Sequence, residues 1–206
     1  MKDIFKIIVI VLMSSILFSQ SDVNIENEKN NSEYQCYSEF INSRYTTEPI
    51  VYQNKGFLKT EKTYRKYSII IQSETENIGS DYSEQDIKCI FKDIQNETIE
   101  NYLVKNNEVK SIIVDNISTD IYPAVISKNT YKEIFDNGWY EEFYSVFPSS
   151  YGYLTLSRVG LNNDNTQALF SFSVYHMPRA AQGGFILLEK NDDKWNIVNI
   201  RLIWKS

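Results

Sequence analysis

The chain has 206 residues, a formal net charge of −6, and is 42% hydrophobic and 14% aromatic, with one histidine and two cysteines. That length supports one domain with a real core and falls short of what two domains usually need. Lys and Arg are interspersed with Asp and Glu instead of gathered into a stripe, which argues against a nucleic acid, a polyanion or an anionic membrane as partner.

The first segment predicts export. Lys2 and Lys6 form a positive start, Ile7 to Phe18 an apolar run, and Ser19-Gln20-Ser21 a small-residue exit, the pattern of a secretory signal covering 1–21. The apolar run is shorter than the roughly 20 residues a bilayer core needs. An uncleaved anchor helix stays open as the alternative reading. The first cysteine after the leader is Cys36, which argues against an acylated lipoprotein. Residues 22–32 are polar and rich in Asn and Glu and read as a linker. Residues 33–206 then form a single α+β domain.

Ser32 is placed to cap a helix from Glu33 to about Tyr45, which Pro49 stops. Gly56 to Gln72 has strand character, and its run Ile69-Ile70-Ile71 predicts a strand covered on both faces. Between Asp86 and Asn106 the apolar stripe rotates from Ile87, Ile90, Phe91 and Ile94 to Ile99, Tyr102 and Leu103. A straight helix of 3.6 period could not bury both sets, so two short helices are expected, the second capped by Asn96. Ile112 to Val114 and Ile121 to Ile126 read as strands. Ser127 starts a helix that Gly138 ends, and Trp139 to Phe147 adds another turn or two.

Four strands are expected at the C-terminal end: Tyr153 to Leu161, Gln167 to Tyr175, Phe185 to Lys190 and Trp195 to Trp204, separated by Asx-rich or Gly-containing turns. Ala168, Phe170, Phe172 and Val174 alternate with Gln167, Ser171 and Ser173, and Val198, Ile200, Leu202 and Trp204 share a face. This patterning predicts an antiparallel meander of about four strands, one face in the core and one partly wet. With one or two earlier strands and short helices against the core face, the fold class is α+β.

Cys36 and Cys89 both project off the apolar stripes of their helices. In an exported chain this makes them a candidate disulfide. Two cysteines and a distant histidine do not compose a zinc site.

The segments Ser157-Arg158-Val159-Gly160-Leu161-Asn162, Thr166-Gln167-Ala168-Leu169 and Leu187-Leu188-Glu189-Lys190, with Trp195 and Trp204, resemble a family of small exported bacterial proteins with no assigned activity. The resemblance covers Trp139 to Ser206. It departs at Leu161, where Phe is expected, and at Tyr175 to Ala181, where the family loop is rich in small residues. It implies export and the meander, and brings no substrate.

No G-x-S-x-G, H-E-x-x-H, P-loop or G-x-G-x-x-G pattern occurs, and any histidine chemistry would fall on His176 alone. Glu141-Glu142 and Asp192-Asp193 are adjacent pairs that read as solvated surface. Asn163-Asp164-Asn165 lacks the glycine and distal Glu of a calcium loop. Arg158 shares a predicted strand face with Leu154 and Leu156, so its guanidinium needs a partner, for which Glu189 is the candidate. The functional alternative gathers Arg158, Asn162 and Gln167 at one end of the first hairpin as donors to a ligand carboxylate or carbonyl, flanked by Tyr151 and Tyr153. No cofactor and no metal are expected. The sequence thus points to a periplasmic or secreted binding or accessory module of the cell envelope, with a small-molecule, glycan or protein partner and no stable membrane insertion once the signal is removed. A cell-envelope hydrolase using paired carboxylates is the alternative.

Overall fold

The computed structural model describes residues 31–45, 47, 50–53, 61–64, 67–77, 81–176 and 180–206. The predicted leader, 1–21, lies outside the described residues. Of the predicted linker, 22–32, only Asn31 and Ser32 are described, and both are already helical. The first helix, α1, covers 31–44, so Ser32 does not cap it, and its hydroxyl accepts from Asn165 Nδ2 instead.

Two short strands, β1 (Ile50–Gln53) and β2 (Glu61–Tyr64), pair antiparallel in a sheet of their own. The main sheet has seven strands: β3 (Ser68–Gln72), β4 (Tyr122–Ile126), β5 (Ser150–Leu156), β6 (Gly160–Leu161), β7 (Gln167–Tyr175), β8 (Ala181–Asn191) and β9 (Lys194–Lys205). Their order is β4-β3-β5-β7-β8-β9, with β6 also on β7. β3 runs parallel to β4 and β5, and every other pairing is antiparallel. The domain is α+β with a C-terminal antiparallel meander. The central, parallel placement of β3 explains its three consecutive isoleucines, since both faces must be apolar; Ile69, Ile70 and Ile71 are all buried.

Helices pack on both faces of the sheet, so the face expected to be partly wet is covered over most strands and stays open towards β9, where Arg201 is exposed. On one side α1 lays Tyr37, Phe40 and Ile41 on Ile69, Ile71, Leu154, Leu156, Phe170 and Phe172. The Phe40 ring centroid is 4.9 Å from Phe172 and 5.8 Å from Phe170, and full burial of such a ring stabilises by roughly 1.5–3 kcal/mol. On the other side α2 (Glu84–Ile90) and α3 (Asn96–Lys105) pack Ile87, Phe91, Ile99 and Tyr102 on Leu169, Phe185 and Leu187. There α4 (Lys128–Val146) also packs, setting Phe143 and Tyr131 against Ile70 and Tyr153. Ser171 and Ser173, expected on the wet face, are buried on this second side.

Several local expectations hold. The rotating stripe becomes two helices, Ser127 Oγ accepts from Thr130 N at the start of α4, and Gly138 and Trp139 break that helix. Others need correction. α2 stops at Ile90, Asn96 is the first residue of α3 and not its cap, and Ile112 to Val114 is no strand. The strand expected from Tyr153 to Leu161 is two, interrupted at 157–159. In β9, register shifts at Gly183/Gly184 and Leu187/Leu188 break the alternation. Leu202 therefore faces Gly184 while Trp204 faces Gly183, on opposite sides of the sheet.

One glycine sets the geometry of β5. Gly152 has φ +134°, and a Cβ there would lie 2.4 Å from the Tyr175 carbonyl oxygen. The β3–β5 register jumps across it, from Ser68 opposite Ser150 to Ile70 opposite Tyr153, as at a bulge. The extra residue sends Tyr151 to the α1 side and Tyr153 to the α4 side.

Candidate functional site

The residues gathered by sequence reasoning at the hairpin end form a closed polar knot. Asn162 Oδ1 accepts from Thr166 N (2.8 Å) and Gln167 N (2.9 Å), and its Nδ2 donates to Gln95 Oε1 (2.8 Å) and Thr166 Oγ1 (2.9 Å). Gln167 Oε1 accepts from Gln95 N (2.7 Å) and Thr98 Oγ1 (3.1 Å), and its Nε2 donates to the Asp93 carbonyl (3.3 Å) and Glu189 Oε1 (3.4 Å). A side-chain amide has two donors and two acceptor lone pairs, so both side chains are fully occupied in joining the α2–α3 corner to the β6–β7 turn.

Arg158 lies beyond β5 in the 157–159 interruption, and its partner is Glu33 rather than Glu189. Arg158 Nε donates to Glu33 Oε1 at 3.1 Å, and that oxygen also accepts from Val159 N at 3.0 Å; the single proton of the Tyr37 hydroxyl is shared between this oxygen at 3.1 Å and the Ser157 carbonyl at 2.7 Å. Lys110 Nζ stands 3.6 Å from Oε2. The Glu33 side chain is 2% exposed. Burial pushes its pKa up, but Lys105, Arg158 and the Arg158 and Val159 hydrogen bonds together hold it below the ordinary carboxylate value. Arg158, Asn162 and Gln167 are therefore scaffold at this end of the sheet. Tyr151 and Tyr153 do not flank them jointly, because the Gly152 bulge separates the pair. Tyr151 packs against Tyr45 at 5.0 Å, and Tyr153 stacks on Tyr131 at 3.7 Å.

The expected disulfide is absent, since both cysteines are free. Cys36 is fully buried on α1, contrary to its off-stripe projection, and Cys89 is exposed on α2 across the sheet. With packed layers about 10 Å apart, such a placement exceeds the roughly 7 Å Cα separation a bond allows. His176 Nδ1 is 2.6 Å from the Tyr151 carbonyl oxygen. Glu141 and Glu142 are exposed on α4. Asp192 and Asp193 occupy the β8–β9 turn with φ of 49° and 63°, the left-handed pair a two-residue hairpin requires.

That tight turn builds a different site. It brings Asp193, Lys194, Trp195 and Asn196 up to the outer stripe of α1, where Asn31, Gln35, Ser38, Glu39 and Asn42 recur at helical spacing. Asn116 and Ser118 close a groove of about 500 Å³, within the range of small-molecule sites. Its wall is fastened: Ser38 Oγ accepts from Ser118 N at 2.9 Å, and Asn42 bridges the Ser118 carbonyl and Asp120 N at 3.1 and 3.0 Å. The side chains of Asn31, Gln35 and Asn116, by contrast, engage no partner among the described residues. Trp195 is 4% exposed, carries Lys190 Nζ 5.8 Å over its ring, and keeps its indole N–H without an acceptor. Leaving a buried donor unmet costs about 1–3 kcal/mol. Among the described residues no cluster of His, Cys, Asp and Glu could hold a metal ion, and no helix is long and apolar enough to cross a membrane.

Sequence reasoning missed this groove. Its signal was the polar i, i+4, i+8, i+11 stripe of Asn31, Gln35, Glu39 and Asn42, which by itself describes any solvated helix face. Comparison with family models, curated proteins and solved structures returns no match.

Proposed function

We propose that the chain is an exported, non-catalytic binding module of the bacterial cell envelope, periplasmic or secreted, and that the groove between α1 and the β8–β9 turn is where it binds. The observation that carries this reading is the groove of about 500 Å³ itself, where the exposed amides of Asn31, Gln35 and Asn116 engage no partner among the described residues. Exposed amides on a concave surface can donate to and accept from a ligand in place of water. The signal-like leader and the C-terminal resemblance support the compartment. A ligand screen on the purified protein, followed through the Trp195 indole resonance, tests the reading. Hits that perturb that resonance support it, and a screen in which every hit perturbs other residues overturns it.

A second reading has one observation in its favour. Glu39 on α1 and Asp193 on the turn both line this groove, and glycoside hydrolysis uses a pair of carboxylates flanking the scissile bond. Under that reading a bound saccharide is cleaved, and Glu39→Gln or Asp193→Asn abolishes turnover while leaving binding in place.

A further inference from the structure

We propose that the β9 edge of the sheet is a second interaction surface, and that it takes an extended acidic peptide segment of a partner protein as an added strand. The surface is distinct from the α1 groove, so either reading can fail alone. β9 has 12 residues, and among the described residues it pairs with β8 alone. Its outer side therefore presents a row of backbone N–H and C=O groups, a template for another strand. No proline interrupts that row, and beside it Val198 and Leu202 are 46% and 49% exposed.

A groove runs next to this edge. Where α2 ends against β9, Ile90, Lys92, Arg201 and Ile203 line a cavity of about 460 Å³. A second cavity of about 200 Å³ shares Lys92 with it and reaches Val198. An added peptide strand is held by main-chain hydrogen bonds and selected by the pockets its alternate side chains enter, and this edge offers both.

Charge selects the occupant. From Lys194 to Lys205, β9 carries three cations and no acid, in a chain whose net charge is −6. Lys92, Lys194, Arg201 and Lys205 are exposed and join none of the salt bridges among the described residues. A second copy would set this basic edge against itself, and basic side chains on an edge keep like copies apart. An acidic strand meets the opposite sign. The two faces divide the preference further. Arg201 lies opposite Phe185 on the α2 side, whereas Ile200 lies opposite Ile186 on the α1 side and Leu202 follows it. A strand with acids at alternate positions and aliphatic residues between them sets its carboxylates beside Arg201 and its apolar side chains beside Ile200 and Leu202.

The test titrates three labelled decapeptides into the protein by fluorescence anisotropy: alternating Glu-Val, alternating Lys-Val and alternating Glu-Pro, the last keeping the charge and losing the ability to form a strand. The Glu-Val peptide is expected to bind and the other two are not. On binding, it should slow hydrogen exchange at alternate β9 amides. Arg201→Glu, at an exposed position, should weaken the Glu-Val peptide about tenfold, improve the Lys-Val peptide and leave the melting temperature unchanged. Equal binding of the Glu-Pro peptide would reduce the surface to charge attraction and overturn strand addition. No binding of the Glu-Val peptide, binding indifferent to Arg201→Glu, or binding that protects amides elsewhere than in β9 overturns the surface itself. So does finding every β9 amide already slow in the free protein, since the edge is then covered by the rest of the chain or by a second copy.

Discussion

The knot around Glu33, Asn162 and Gln167 and the groove around Trp195 are both rich in polar side chains, and both involve α1. They differ in saturation. In the knot every lone pair and proton of the two amides is used internally, and a buried carboxylate collects a guanidinium, a backbone N–H and a phenol. In the groove, the Asn31, Gln35 and Asn116 amides are exposed and engage no partner among the described residues, and the buried Trp195 N–H is unmet. The first cluster is held closed by its own bonds, whereas the amides of the second face solvent and can exchange water for a ligand.

The largest effect should come from breaking the knot at its centre. Glu33→Ala strands Arg158 and the Val159 N–H in a buried setting and should cost about 3–5 kcal/mol in urea denaturation. Arg158→Ala should cost less, about 1–3 kcal/mol, because Lys110, Val159 N and Tyr37 stay with the carboxylate. The carboxyl's folded pKa is depressed, so its contribution is present above the unfolded value of about 4.3 and is lost as pH falls through the lower folded value. Glu33→Gln should therefore flatten the acid limb of the stability curve. A loss under 1 kcal/mol for Glu33→Ala would place the knot with the surface.

Next in size are the amides. Gln167→Leu leaves Gln95 N–H and the Thr98 hydroxyl without their acceptor, and Asn162→Ala does the same to Thr166 N and Gln167 N. Each should cost about 1–3 kcal/mol, read as a shift in the denaturation midpoint at constant slope. If either variant matched the wild type, its hydrogen bonds would be replaceable by water, and the contrast with the groove would fail.

Much of the fold was written locally. The three isoleucines of β3, the alternation of β7, the rotating stripe of α2 and α3 and the Gly138 break all follow from period and turn chemistry within a few residues. What escaped was set by distant pairing. Glu33 and Arg158 are 125 residues apart, and nothing near Arg158 distinguishes that acid from Glu189. A one-residue bulge at Gly152 was enough to split Tyr151 from Tyr153, because strand alternation inverts with each added residue. The groove escaped for a related reason: its two walls belong to α1 and to a turn near the other end of the chain, and the stripe becomes a site only when the fold opposes them.

The thiols sharpen the comparison without large energies. Burial pushes the Cys36 thiol up, and the nearby Glu33 charge adds to it, while Cys89 is exposed. An aromatic disulfide reagent should titrate one thiol in the native protein and two after unfolding. Non-reducing peptide mapping that recovered a Cys36–Cys89 linked pair would restore the bond the sequence suggested and contradict the layer arrangement.

The smallest expected change is in the groove. Trp195→Phe keeps a ring on the α1 side beneath Lys190 and gives up some packing, a loss that ordinarily destabilises. It also deletes an N–H whose unmet burial already costs about 1–3 kcal/mol, so the two contributions oppose one another and the net change should stay within about 1 kcal/mol. The melting temperature of Trp195→Phe should thus lie close to that of the wild type, far from the drop expected of Glu33→Ala. A fall of more than about 2 kcal/mol, well outside the range of substitutions that touch no special feature, would mean that the indole N–H already stabilises the folded state through a hydrogen bond. Trp195 would then belong with the saturated knot, and the distinction between the two regions would vanish.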